Sequence, residues 1–161
     1  MVIIYYIGVI GAARCSNEIK NMAISVGEEL ANNEAIILCG GHGGVMEGTA
    51  IGAASRGGTV IGILPGHDRC EGNKYLTYVL PTGLGDARNA IITRSADALI
   101  AISGGAGTLS EIGLALKMGK TVVGLHTWGI SPPTGEHYQF IQANTPVQAV
   151  NLALQACMPR S

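Results

Sequence analysis

Short, almost wholly apolar runs recur along this chain at intervals that a helix can fill, and three of them meet clusters of glycine. The runs cover residues 2–9, 35–38, 59–64, 98–102 and 121–125. Strands this apolar on both faces belong to a parallel sheet covered by helices on both sides, because such a sheet turns neither face to water. Between them lie residues 17–31, where Ile19, Ala23, Val26 and Leu30 share one face, then 45–55, 87–95 and 109–118. This alternation predicts an α/β fold, a doubly wound parallel sheet occupying residues 1–161 as a single domain. A last helix opens at Thr145-Pro146-Val147-Gln148, where Thr145 caps, Pro146 suits the first turn and Gln148 completes a capping box. Residues 65–85 and 126–144 read as long irregular connections, which in a compact domain sit at a functional surface or an interface.

Glycine is the compositional outlier, 24 of 161 residues. Neither a Gly-X-Y period nor a proline surplus accompanies it, which excludes collagen-like and disordered chains. Ten basic and eleven acidic side chains leave a formal net charge of −1, without the basic surplus of a nucleic-acid binder. No run approaches the ~18–20 apolar residues of a membrane span. The apolar N-terminus has no cationic residues ahead of it, unlike a secretion signal. Cys15, Cys39, Cys70 and Cys157 form neither a C-x-x-C pair nor a metal-ligand spacing, so they read as core thiols with no metal site. The expectation is a cytoplasmic chain that touches neither membrane nor nucleic acid. Only 13% of residues are charged, and the small residues Gly48, Gly52, Ala53 and Gly113 fall in helical segments. Together these predict close helix packing and a homodimer or homotetramer.

In open α/β sheets, ligands bind at the carboxyl ends of the strands. Three glycine-rich stretches fall there: 8–13, containing Gly11; 40–44, with Gly40, Gly41, His42, Gly43 and Gly44; and 104–108, with Gly104, Gly105, Gly107 and Thr108. Glycine lets backbone N–H groups approach a ligand, and the helix that follows favours an anion. There is no G-x-G-x-x-G fingerprint, no acidic residue closing the second strand and no G-x-x-x-x-G-K-[ST], which argues against NAD binding and against a P-loop. Arg88, beside Asn89 and after a loop bearing Gly83, can grip a phosphate with two donors or pair with Asp86 or Asp97. Glu111, three residues after Thr108, fits a capping box and equally a carboxylate facing a bound sugar. His42 is a ligand contact or a turn residue; His126 and Trp128 wall the pocket or belong to an interface.

These residues fall in blocks that resemble known families. Ser103-Gly104-Gly105-Ala106-Gly107-Thr108-Leu109-Ser110-Glu111 is similar to the PGGxGTxxE motif of the LOG family. Those enzymes are cytokinin-activating phosphoribohydrolases, which cleave the N-glycosidic bond of nucleoside 5′-monophosphates. Arg88 falls where that family has its catalytic arginine. The molybdenum cofactor carrier proteins, a related branch with the same Rossmann-like fold, are resembled more closely. The likeness lies in Gly44-Val45-Met46-Glu47, Gly58-Thr59-Val60-Ile61-Gly62-Ile63-Leu64-Pro65-Gly66, Gly83-Leu84-Gly85-Asp86-Ala87-Arg88-Asn89 and Glu111-Ile112-Gly113-Leu114-Ala115-Leu116-Lys117. It extends over residues 2–125. Ser103 stands where the LOG motif has proline, and Ala87-Arg88-Asn89 replaces its His-x-Arg-Lys, so a lysine near the substrate is missing.

The carrier resemblance implies a protein that binds, stores and delivers molybdenum cofactor (molybdopterin), with molybdoenzymes as recipients. Its ligand would be held by Gly11, Gly40, Gly41, His42, Gly43, Gly44, Gly83, Arg88, Asn89, Gly104, Gly105, Gly107, Thr108 and Glu111. The LOG resemblance implies the alternative, a phosphoribohydrolase of an AMP-like nucleotide with Arg88 and Glu111 as its catalytic pair and no cofactor. A third resemblance, to DprA-type DNA-binding proteins, rests on the glycine-rich core alone. The neutral charge, with Trp128 and Phe140 the only Trp and Phe, argues against base stacking.

Overall fold

The structure is a computed structural model and describes residues 3–159. Its strands are β1 (Tyr6–Gly11), β2 (Ile36–Cys39), β3 (Thr59–Leu64), β4 (Tyr78–Pro81), β5 (Ala98–Ile102), β6 (Thr121–Leu125) and β7 (Phe140–Ala143). Its helices are α1 (Asn17–Asn32), α2 (Val45–Ser55), α3 (Arg88–Ser95), α4 (Ala106–Lys117) and α5 (Pro146–Cys157). All seven strands join one sheet in the order β4-β3-β2-β1-β5-β6-β7, and every pairing is parallel. This is the expected Rossmann-like, doubly wound α/β fold.

Alternation along the strands sorts the core into two layers. Ile7 and Val9 of β1, Ile37 and Cys39 of β2, and Ala98, Ile100 and Ile102 of β5 pack under α1, α2 and α5. Ile10, Leu38, Leu99 and Ala101 point the other way, toward Ile92 of α3 and Ile112, Ala115 and Leu116 of α4. All five residues of β5 are buried. No described helix is long and apolar enough to cross a membrane.

The helical glycines pack within the chain. A Cβ on Gly27 of α1 would overlap the Thr49 carbonyl of α2, and one on Gly52 would overlap the Ile24 carbonyl of α1. Gly48 faces Lys20 O at 2.9 Å in the same way. These contacts bring the two helix backbones together, so Gly48 and Gly52 serve the fold of one chain rather than a subunit contact. Gly113 is different: it is exposed, with open space where a Cβ would stand.

Two helix starts, those of α1 and α5, follow the sequence grammar. Ser16 accepts a hydrogen bond from Ile19 N (3.3 Å) to cap α1, and Thr145 accepts from Gln148 N (3.1 Å) to cap α5. Gln148 Oε1 reaches back to Asn144 N (2.8 Å), one residue before the usual box partner. The expected elements differ from the observed ones by one or two residues at several ends and more widely in four places. β1 starts at Tyr6, where its pairing with Ile36 of β2 begins, one residue before Ile7 meets Ala98 of β5; Ile3 and Ile4 are exposed, and Val2 lies outside the described residues. The connections 65–85 and 126–144 each contain a short edge strand, β4 and β7. Edge strands lack the all-apolar signature because one side faces water, and Pro81 closes β4. Finally, α4 begins at Ala106, three residues before the expected 109.

Replacing Gly52 by Ala should lower the unfolding free energy by about 2 kcal/mol, because overpacking against Ile24 O outweighs helix propensity. Replacing Gly113 by Ala should raise it by up to about 1 kcal/mol, the propensity gain alone. Urea unfolding midpoints of the two variants check the opposite signs.

Candidate functional site

After β1 the chain moves outward through β2, β3 and β4, then returns to place β5 on the other side of β1. The connections leaving β1 and β5 therefore diverge, and a crevice opens at their carboxyl ends. A cleft of about 330 Å³ occupies that place. Its walls come from Val9 to Ala13 at the end of β1, Gly40 and His42 after β2, and Met46 of α2. Asp86, Arg88 and Asn89 close it at the start of α3, and Gly105, Gly107, Thr108 and Glu111 at the start of α4.

Arg88 holds the floor. Its Nη1 donates to Gly40 O (2.6 Å) and to Ile63 O, tying α3 to the ends of β2 and β3. The guanidinium passes so close to Gly40 that a Cβ there would lie 2.7 Å from Nη1, which is why glycine is needed at that turn. Neither Asp86 nor Asp97 forms an ion pair with it. Among the described residues the sole ion pair within 4 Å joins Lys20 to Glu47, and Asp97 Oδ2 accepts from Tyr6 N (2.8 Å). Burial lowers the Arg88 pKa from its usual value, opposed by the nearby Glu111 charge. Two buried atoms here lack partners, the donor Arg88 Nε and the acceptor Asn89 Oδ1. Such groups are rare because each forfeits its hydration, and a bound ligand is one way to satisfy them.

The opposite wall is α4. Its N-cap, Gly105, offers no side-chain cap, so the first-turn N–H groups of Ala106, Gly107 and Thr108 have no acceptor in the helix. The early start of α4 puts Thr108 inside the helix, and the Thr108–Glu111 capping box expected from the spacing does not form. Glu111 instead lies one turn into α4, only 8% exposed, and its carboxylate accepts no hydrogen bond from the described residues. Burial pushes its pKa up to about 7, with Arg88 pulling the other way. Glu111 thus stands as a largely buried acid that holds its proton well above the usual carboxylate range, lining the cleft. Gly105 and Gly107 have open space where a Cβ would stand.

Of the residues expected at a ligand site, Gly11, Gly40, His42, Arg88, Asn89, Gly105, Gly107, Thr108 and Glu111 line the cleft together. Gly41, Gly43, Gly44, Gly83 and Gly104 do not. Gly44, at φ 62°, lets Val45 N reach Ala12 O (3.0 Å) at the start of α2. Gly104, at φ 106°, lies against Thr108, and Gly83 against the His67 ring. Gly8, expected in the first loop, lies within β1 beside Leu99. Burial and the Arg88 charge lower the His42 pKa. His126 and Trp128 line no part of the cleft; Trp128 Nε1 donates to Gly105 O (3.2 Å), bracing the α4 start from outside. Sequence reading singled out only Gly11 of the stretch 8–13, where Val9, Ile10, Ala12 and Ala13 line the cleft too, and missed Met46 and Asp86 as lining residues; Asp86, two residues before Arg88, carried a signal.

A family model described as the SLOG cluster4 family matches residues 4–155. An uncharacterised protein of Archaeoglobus fulgidus is 44% identical over 151 residues, covering 93% of this chain and 95% of its own. The molybdenum cofactor binding protein of the phototrophic bacterium Rippkaea orientalis superposes with a TM-score of 0.86 at 30% identity, over 96% of this chain and 98% of that one. The Moco carrier protein of Chlamydomonas reinhardtii gives a TM-score of 0.82 at 33% identity, over 95% and 97%.

Because the folded Glu111 carboxyl keeps its proton to about pH 7 and the unfolded chain releases it near 4.5, unfolding releases a proton between these values. Stability from this group is full below pH 4.5 and lost as pH rises through 7. Glu111→Gln should therefore flatten the fall in stability between pH 5 and 8. It should also raise stability at pH 8 by about 2 kcal/mol, read from urea midpoints across that range.

Proposed function

The chain belongs to the SLOG cluster4 family, and from that premise we propose that its cleft binds molybdenum cofactor and that the protein stores and carries it. The observation behind this reading is the buried, unpartnered pair Arg88 Nε and Asn89 Oδ1 in a cleft at the switch point of the sheet. The same architecture, at 30% and 33% identity, is found in a molybdenum cofactor binding protein and a Moco carrier protein. The cargo is a pterin bearing one phosphate and a dithiolene-bound molybdate, and its needs match what the cleft offers. The free N–H groups at the start of α4 and those of the glycine-rich turn after β2 cradle anionic groups. Arg88, held by two carbonyls, is a fixed positive charge with donors to spare. Asn89 and Glu111 accept from ligand N–H groups. A volume of about 330 Å³ lies in the range of small-cofactor pockets. Binding shields an oxygen-sensitive cofactor until a molybdoenzyme takes it, in the cytoplasm.

The same proposal takes the chain as a homodimer or homotetramer. Tyr78, Leu80, Leu84 and Ile91 support it, since these large apolar side chains stay exposed on a single chain. One observation favours a second reading, an N-glycosidic phosphoribohydrolase: Glu111 is a buried carboxyl with a pKa near 7 across the cleft from Arg88. There the cradle takes the 5′-phosphate of an AMP-like nucleotide, and Glu111 stabilises the developing positive charge on the sugar.

The carrier reading expects cofactor to co-elute with the protein on gel filtration; separate elution overturns it. Gly105→Val, whose Cβ meets no protein atom, should cost about 1 kcal/mol at the helix N-cap and weaken cofactor retention at least about tenfold by filling the cleft mouth. The hydrolase reading expects free base from AMP or isopentenyladenosine monophosphate, abolished by Glu111→Ala. Base release of that kind excludes a carrier without enzymatic activity.

A further inference from the structure

The turn after β2 is held by one side chain from outside the cleft. Asn73 lies in the connection between β3 and β4. Its backbone N donates to Gly41 O (2.8 Å), and its Nδ2 donates to His42 O (2.9 Å) and to Gly41 O (3.4 Å). Its Oδ1 accepts from Tyr75 N (3.1 Å), which fixes the amide the right way round for Nδ2 to donate. The segment is itself anchored: Thr77 N donates to Val60 O (2.9 Å), and Thr77 Oγ1 accepts from Val60 N (3.0 Å). Asn73 therefore collects two successive carbonyls of the glycine-rich turn from a position fixed on β3.

Peptide planarity gives this contact a consequence. In a trans peptide the N–H of one residue points opposite to the carbonyl of the residue before it. With the Gly41 and His42 carbonyls turned to Asn73, the N–H groups of His42 and Gly43 turn away from it. Neither N–H has a partner among the described residues, and His42 lines the cleft while Asn73 does not. Two successive N–H groups facing one way form a concavity suited to an anion. We infer that Asn73 is a positioning residue that turns the backbone N–H of His42, which lines the cleft, and that of Gly43 beside it away from the β3–β4 connection, as a receptor for a phosphate oxygen of the ligand. This rests on the proposed binding of a phosphate-bearing pterin and assigns to Asn73 the orientation of the anion contact at the turn after β2.

The test uses the intact protein with inorganic phosphate, the fluorescent pterin 6-hydroxymethylpterin and its phosphate monoester as probes. In wild type, the backbone amide resonances of His42 and Gly43 should move on titration with phosphate and with the ester. Asn73→Ala should abolish those shifts and weaken the ester about tenfold, the loss of a few aligned hydrogen bonds, while the unphosphorylated pterin binds as before. Equal loss of both pterins, or an unchanged ester affinity, overturns the inference. So does a wild-type titration in which Ala106, Gly107 and Thr108 respond and His42 and Gly43 do not, an outcome that leaves the binding proposal standing. If no amide responds and neither pterin binds, the binding proposal itself falls. Should Asn73→Ala fail to fold, Asn73→Asp keeps the acceptor for Tyr75 and removes the donor, and the wild-type titration decides independently of either variant.

Discussion

Everything at the ligand edge depends on β1 having β2 on one side and β5 on the other. That pairing, Tyr6 with Ile36 and Ile7 with Ala98, makes the two connections at its carboxyl end part company. It brings residues far apart in sequence, Gly11, Gly40, Arg88 and Glu111, around one space. Arg88 then converts topology into a rigid floor. By donating to Gly40 O and Ile63 O it uses strand-end carbonyls that have no further strand residue to receive. The neutral chain thus places a fixed positive charge where the sheet needs hydrogen-bond donors, and its remaining edge faces the cleft.

The cleft is bipolar. Free helix N–H groups and a guanidinium occupy it together with a carboxyl that is 8% exposed and accepts no hydrogen bond from the described residues. Arg88 and Glu111 are close enough to shift one another's proton affinity, yet they form no ion pair within 4 Å. A fixed cation and a readily protonated acid, held apart in a partly dry space, leave room for a group that bonds to both. A ligand with acceptors at one end and donors at the other meets that demand, whether its donors are ring N–H groups or sugar hydroxyls.

The central strands and the helix stripes were readable from sequence because burial on both faces leaves long apolar runs. The edge strands β4 and β7 were not, since a strand paired on one side keeps polar and exposed positions that read as loop. At the site, glycine marked the correct turns but not the correct role. Gly40, Gly105 and Gly107 border the cleft, whereas Gly8 is a strand residue packed on Leu99 and Gly83 makes room for His67. Thr108 and Glu111 stand three apart in a capping-box spacing, and only the position of the first helical turn decides whether they cap. That position is set by tertiary contacts such as Trp128 Nε1 to Gly105 O, which reach across 23 residues and leave no local signal. Asn73 is the same case at greater range, 32 residues from Gly41.

The close approach of α1 and α2 bears on how the cleft can move. Their contact is backbone against backbone at Gly27 and Gly52, with no flexible side chain between them to absorb a displacement. One loop that lines the cleft runs directly into α1 and another into α2. Those two loops are therefore mechanically one jaw. The other jaw is thinner: α3 has eight residues, of which only Ile92 and Thr93 are buried. Any give in the cleft lies with the exposed outer turns of α3, while Arg88, tied to Gly40 O and Ile63 O, stays with the glycine-rich turn after β2 as its fixed side.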